Sequence, residues 1–157
     1  MSFFFDTNVL VYMFDRSEPT KQARAQELVA AHMAARDMVI STQVLQELYV
    51  TLTRKKHLSP ADALEVTSSF AQERTVSATA DLVLRGLALS QQAQLSAWDA
   101  LIAQSALDAA CTTLYSEDFQ DGMRFGGLVV INPFVSRLLE PAALSKPNAA
   151  RLKKKFV

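Results

Sequence analysis

The run Phe3-Phe4-Phe5 ahead of Asp6-Thr7-Asn8 constrains this chain more than any other stretch. Side chains alternate faces along a strand, so consecutive aromatics leave neither face suited to water. The run predicts a short strand covered on both sides, as in the interior of a parallel sheet. It stops at an acid. Asp6, Thr7 and Asn8 are all helix-capping residue types, and Val9, Leu10 and Tyr12 continue the apolar pattern behind them. The strand thereby delivers a carboxylate to the C-terminal edge of the sheet, where open α/β sheets bind ligands. From this stretch alone, two roles are open to Asp6: helix cap and ligand.

A chain of 157 residues fits one domain, and half of it is hydrophobic, which is ample for a core. No apolar stretch approaches the ~20 residues of a membrane span. The N-terminus lacks a basic segment followed by a long apolar run, so no signal peptide is expected. Cys111, the single cysteine, has no internal partner and sits among Ala109, Ala110 and Thr112, which suits a small core residue better than a nucleophile. A reducing, cytoplasmic setting is expected. Residues 1–135 carry 10 Lys/Arg against 15 Asp/Glu, and residues 136–157 carry 6 against 1. An acidic body with a basic tail hints at a polyanionic partner, although a solvated terminus gives the same pattern.

The rest of the chain alternates helices and short strands. A helix is expected over about Thr20 to Arg36, entered at Pro19, with Ala23, Leu28, Ala31 and Ala35 among its apolar positions. Met38-Val39-Ile40 is a second buried strand. Ser41 and Thr42 offer caps for a helix with Val44, Leu45, Leu48 and Leu52 at helical spacing, closing in Arg54-Lys55-Lys56. Ser59-Pro60 opens a helix to about Gln72, and Thr75-Val76 suggests a minor strand. Helices follow from Ala80 to Gln92 and from Ser96 to about Ala109, then strands at Thr113–Tyr115 and Leu128–Ile131. Strands separated by helices predict a parallel sheet with helices on both faces.

Four acids stand out by position: Asp6, Glu47, Asp99 and Asp118. Each has a plain structural alternative. Glu47 flanks the apolar stripe of its helix and suits a solvated surface. Ser96-Ala97-Trp98-Asp99 has capping-box spacing. Asp118, like Asp121 before Gly122, suits a turn. Convergence would change the reading, because two like charges about 4 Å apart repel by ~4 kcal/mol at an effective dielectric of 20. A cluster of this kind is sensible mainly with a cation, and all-oxygen ligands suit Mg²⁺ or Mn²⁺. His32 and His57 lie far from these acids in sequence, which argues against zinc.

Taken together, the chain resembles the PIN-domain nucleases, in particular the VapC-type ribonuclease toxins of prokaryotic toxin–antitoxin pairs. The matching stretches are Phe5-Asp6-Thr7-Asn8-Val9-Leu10-Val11-Tyr12, Gln46-Glu47, Trp98-Asp99-Ala100-Leu101-Ile102-Ala103, Leu114-Tyr115-Ser116-Glu117-Asp118-Phe119, and Gly127 through Phe134. No single motif is diagnostic; their order and spacing over residues 1–134 carry the resemblance. It implies a three-layer α/β/α sandwich with a central, mostly parallel sheet over 1–134. A C-terminal helical turn and basic tail over 135–157 lie outside the family pattern.

The resemblance implies Mg²⁺- or Mn²⁺-dependent hydrolysis of RNA phosphodiester bonds. Asp6 and Asp99 would be principal ligands. Asp118 would hold a second metal or its water, and Glu47 would bind metal or orient the attacking water. Asn8 and Ser116, the latter often threonine in the family, would hold carboxylates by hydrogen bonds. Arg16, Arg54, Lys55 and Lys56 are candidates for gripping the RNA backbone, with Lys153, Lys154 and Lys155 as lesser ones. The implied partners are a second copy of the chain and a small antitoxin, for which Phe14, Leu45, Leu48 and Tyr49 are possible contacts but equally plain core. Competing readings are a catalytically silent RNA-binding domain and a structure-specific DNA nuclease using the same metal site. A haloacid-dehalogenase-type phosphatase needs a second aspartate where this chain has Asn8.

Overall fold

The computed structural model describes residues 1–135. The expected C-terminal helical turn and basic tail, with Lys153, Lys154 and Lys155, lie outside the described residues apart from Val135.

Phe3–Phe5 forms β1, the strand expected from the aromatic run. Phe4 and Phe5 point to opposite faces and both have no solvent exposure, so both faces of the sheet are covered. Thr7–Tyr12 forms α1 and Pro19–Ala35 forms α2. Then come β2 (Met38–Ser41), α3 (Thr42–Arg54), α4 (Pro60–Phe70) and β3 (Arg74–Val76). The chain continues through α5 (Ala80–Ala93), α6 (Ala97–Asp108), β4 (Thr113–Tyr115), β5 (Arg124–Phe125) and β6 (Leu128–Ile131). The sheet order is β3-β2-β1-β4-β6-β5, parallel throughout except for the β5–β6 pair.

Helix starts follow the chemistry of their caps. Ser59 Oγ accepts from the Asp62 amide at 3.1 Å with Pro60 in the first helical position, and Ser41 Oγ accepts from Val44 at 3.4 Å. Asp6 caps α1, its Oδ1 accepting the Thr7 amide at 2.7 Å. Of the two roles open to Asp6, helix cap is the one this contact shows.

Two expectations are corrected. In α2 the buried residues are Ala25, Leu28 and Val29, whereas Ala23 and Ala35 are exposed. Alanine is too small to fix the rotation of a helix, so Leu28 and Val29 set it. Strand β5 was not expected. It pairs with β6 across Gly126-Gly127, a two-residue hairpin connection whose Gly126 takes φ 57°. Leu48, named as a possible partner contact, is fully buried core; Phe14, Leu45 and Tyr49 are partly buried against that core. Cys111 is buried, and burial pushes its thiol up to about 11, in keeping with an inert role.

Helices α5 and α6 meet closely at Gly86. A Cβ there would stand 2.7 Å from Leu101 Cδ2 and 3.4 Å from Leu101 Cα. Gly86→Val should force the two helices apart and lower stability by about 1–3 kcal/mol. The denaturant midpoint measures the loss, and an unchanged midpoint would show that the contact has slack.

Candidate active site

The site follows from register. Phe5 is paired with Tyr115 in the parallel β1–β4 ladder, so the next residues, Asp6 and Ser116, leave the sheet side by side. The chain runs from β1 outward to β2 and β3, then returns to the other side of β1 as β4. The gap between β1 and β4 is thus the point at which strand order reverses, where the loops diverge and leave a crevice.

At that point Asp6 is 4% exposed. Its Oδ2 accepts from Ser116 Oγ at 2.6 Å and from Asn8 Nδ2 at 3.2 Å. The same Asn8 nitrogen lies 3.0 Å from Asp118 Oδ2 and 3.2 Å from Ser116 Oγ, so one amide spans two carboxylates. The Asp118 amide donates back to Ser116 Oγ at 3.1 Å. Glu47 enters from α3: Thr7 Oγ1 donates to its Oε2 at 2.8 Å, and Gln43 Nε2 to its Oε1 at 2.8 Å. Gln43 also donates to the Trp98 carbonyl at 3.2 Å, which ties α3 to the start of α6. Asp99, the next residue, lies in the first turn of that helix, which Ser96 caps: Ser96 Oγ accepts from the Asp99 amide at 3.1 Å and donates to Asp99 Oδ2 at 2.7 Å.

Burial pushes the Asp6 carboxyl up to about 7, and the negative charges of Asp118 and Glu47 push the same way. The hydrogen bonds from Ser116 and the Thr7 amide oppose them. Nearby lysines pair elsewhere. Lys56 Nζ meets Asp15 Oδ2 at 2.5 Å and holds the Asp15 carboxyl down at about 2, while Lys21 Nζ meets Glu117 Oε2 at 2.8 Å. Among the described residues, Asp6, Glu47, Asp99 and Asp118 accept side-chain hydrogen bonds only from neutral groups.

The four expected acids are therefore gathered unequally. Asp6 and Asp118 share Asn8 directly, Glu47 is linked through Thr7, and Asp99 is reached only through Gln43 and the neighbouring Trp98 carbonyl. Asn8 bonds both Asp6 and Asp118, and Ser116 bonds Asp6. A cleft of about 330 Å³ opens here, and Asn8, Glu47, Thr51, Lys55, Lys56 and Asp118 are among the residues that line it, whereas Asp6 and Asp99 are not. Arg16 and Arg54 are exposed and do not line it. Thr7 and Gln43 were not singled out from sequence. The signals were present in the cap motif around Thr7 and in the i, i+4 spacing of Gln43 to Glu47.

Among the described residues, no three His, Cys, Asp or Glu side chains form a ready metal-binding group. The donor set nevertheless fits a hard divalent ion: the donors are all oxygen, the shared amide holds two carboxylates together, and no cation pairs with them.

A PIN-domain family model matches residues 3–120. The chain belongs to the PIN-domain family. The fold of this PIN domain is similar to several solved structures. Mycobacterium tuberculosis VapC20, a Sarcin-Ricin loop cleaving toxin, aligns with TM-score 0.58 and 19% identity over 76% of this chain and 90% of that one. Rickettsia felis VapBC2, bound to a DNA fragment from its promoter, aligns with TM-score 0.57 and 21% identity over 83% and 97%. DNA-bound VapBC from Salmonella typhimurium aligns with TM-score 0.57 and 18% identity over 83% and 96%. No curated protein matches significantly by sequence.

The raised Asp6 carboxyl makes a prediction for the metal-free protein. A carboxyl with a folded pKa of about 7 against an ordinary 3.8 weakens the fold as pH climbs between those values. Asp6→Asn in chelator should be more stable than wild type at pH 8 by about 1–3 kcal/mol, with the gain vanishing below pH ~4. Chemical denaturation at both pH values measures it. A gain of equal size at both would separate the effect from ionisation.

Proposed function

We propose that this PIN domain is a metal-dependent ribonuclease that hydrolyses RNA phosphodiester bonds and acts as the toxin of a type II toxin–antitoxin pair. The reading rests on one observation above others: carboxylates gathered at the sheet's switch point are held by neutral donors only, although lysines stand within reach of neighbouring acids. Likeness to VapC20, a toxin that cleaves the Sarcin-Ricin loop, supports RNA as the substrate class.

Asp6 and Asp118 would hold Mg²⁺ or Mn²⁺, with Asp99 and Glu47 completing the acidic set. When bound, such an ion lowers the pKa of coordinated water and stabilises charge on the phosphate and the leaving oxygen. Asn8 and Ser116 keep the carboxylates of Asp6 and Asp118 oriented by the bonds described above. Glu47, fixed at both oxygens by Thr7 and Gln43, is the group suited to orienting a water. Lys55 and Lys56 line the same cleft, where they would meet backbone phosphates that the acids repel. Arg16 and Arg54 would extend that grip outside the cleft. The antitoxin and a second copy of the chain are the proposed protein partners, with the antitoxin closing the cleft.

Labelled RNA and DNA incubated with Mg²⁺, Mn²⁺ or EDTA test the reading. RNA should be cut with metal and left intact in EDTA, and Asp6→Asn and Asp118→Asn should each lower the rate by about a hundredfold or more. Wild-type rates in both variants would refute it. Cleavage of DNA alone would favour the structure-specific DNA nuclease, and binding without cleavage the silent RNA-binding domain.

Lys55→Gln should weaken binding of single-stranded RNA and reduce the slope of log affinity against log salt by about 0.7, one phosphate contact. Titrations at several salt concentrations measure it, and an unchanged slope would remove Lys55 from the RNA path.

A further inference from the structure

We propose that Glu117, clamped by Tyr12 and Lys21, is a positioning residue that holds the Ser116–Asp118 turn onto Asn8 and Asp6, and so sets the affinity of the site for a divalent ion. The inference rests on the metal-dependent reading above and deepens it.

Glu117 lies between the two residues that bring β4 into the site. Its own side chain takes no part in the Asn8 network. Tyr12 Oη donates to its Oε1 at 2.6 Å, and Lys21 Nζ donates to its Oε2 at 2.8 Å and to Tyr12 Oη at 2.9 Å. The three groups close a ring of hydrogen bonds drawn from α1, α2 and the turn. Lys21 Nζ also lies 4.5 Å from the Tyr12 ring centroid and 5.5 Å from that of Phe134, and the two rings meet edge to face at 4.8 Å. The lysine is thereby fixed in place. All three side chains are only partly exposed, so solvent screens this ring less than an open surface pair.

The turn needs such a hold. It carries Asp118 towards Asp6: one Asn8 nitrogen lies 3.2 Å from Asp6 Oδ2 and 3.0 Å from Asp118 Oδ2, so two like charges are held close together. The other side-chain attachments of the turn carry no positive charge: Ser116 Oγ donates to Asp6 Oδ2 at 2.6 Å, Asn8 Nδ2 to Asp118 Oδ2 at 3.0 Å, and the Glu117 amide to Asn8 Oδ1 at 3.4 Å. Lys21 supplies positive charge to the turn without touching Asp6 or Asp118, so both carboxylates stay free for an ion. Tyr12 and Glu117 also line the cleft, and the ring is therefore part of its wall.

Titrating the RNA-free protein with Mn²⁺ alone, by calorimetry or by the electron paramagnetic resonance of free Mn²⁺, tests this. Glu117→Ala should weaken Mn²⁺ binding by about tenfold or more. Glu117→Gln, which keeps an acceptor for Tyr12, should recover part of the loss. Tyr12→Phe keeps the ring against Phe134 and removes only the hydroxyl; it should weaken binding by severalfold with an unchanged melting temperature, and it carries the test if Glu117→Ala does not fold. Arg85→Gln breaks the ion pairs to Asp81 and Asp108, away from the cleft, and should leave Mn²⁺ binding unchanged. If Tyr12→Phe and Glu117→Ala bind Mn²⁺ as wild type does while Asp118→Asn does not, the clamp has no positioning role and the metal site stands. If Asp118→Asn and Asp6→Asn also bind as wild type does, the metal-site reading fails and this inference with it.

Discussion

The burial of one carboxyl group, Asp6, at the end of a strand with no solvent-facing side is the constraint on which this structure turns. Phe4 and Phe5 anchor β1 in the middle of the sheet, so Asp6 has no freedom to swing into water. Removing a carboxylate from water is costly unless donors replace the lost solvation. Here the Thr7 amide, Ser116 hydroxyl and Asn8 amide do so, and each comes from an element that the same strand positions. The group that caps α1 also bonds Ser116 and Asn8, and Asn8 lines the cleft. Loss of the cap interaction and loss of the site are therefore coupled, and a neutral replacement that preserves the cap relieves the fold while emptying the site of charge.

Parallel pairing makes the convergence possible. In an antiparallel neighbour the residue beside Asp6 would begin a strand; in this sheet it ends one, so Ser116 and the turn behind it project from the same edge. β2 runs the same way on the other side and finishes in Ser41, which caps α3 and sends Glu47 back over that edge one and a half turns later. Acids separated by roughly 40 and 110 residues thus meet Asp6 and its neighbours without any long loop: Glu47 through Thr7, Asp118 through Asn8.

These relations were legible in the sequence to different degrees. The aromatic run gave β1 away because no other element tolerates three such residues before a capping triplet. Ser59-Pro60 and Ser96-Ala97-Trp98-Asp99 announced helix starts because capping is local chemistry, decided within a single turn. The rotation of α2 was hidden by its alanines, which carry too little apolar surface to mark a face. Strand β5 was hidden by its length of two residues, although Gly126-Gly127 was the available sign. In the site, Asp6 and Asp118 could be found because they follow strand ends, whereas Asn8 and Ser116 came only from the family resemblance. The bonds from Thr7 and Gln43 to Glu47, and from Lys21 to Glu117, could not, since they depend on how a helix is turned against a sheet edge it reaches from far away in sequence. Asp99 shows the converse limit. Its capping-box spacing was read correctly, but spacing alone does not tell whether a capping carboxylate also faces a cleft.

What separates the acids around this cleft is the charge of their partners. Asp15 and Glu117 are each answered by a lysine, and both lie on its wall. Asp6, Glu47 and Asp118 are answered by hydroxyls and amides, which satisfy lone pairs but leave the net charge in place. A fold selected only for stability gains from pairing a lysine with the second group, because burial, with the charges of Asp118 and Glu47 adding to it, raises the Asp6 carboxyl and weakens the native state as pH rises. Lys55 and Lys56 line the same cleft, so the cations for such an arrangement are already present. Lysines thus neutralise Asp15 and Glu117 and spare Asp6, Glu47 and Asp118, while Lys55 lines the same cleft as Glu47 and Asp118, so acids without a cationic partner stand near a lysine. That pairing suits a ligand which is itself an anion bridged by a small cation, as a phosphodiester with a divalent ion is.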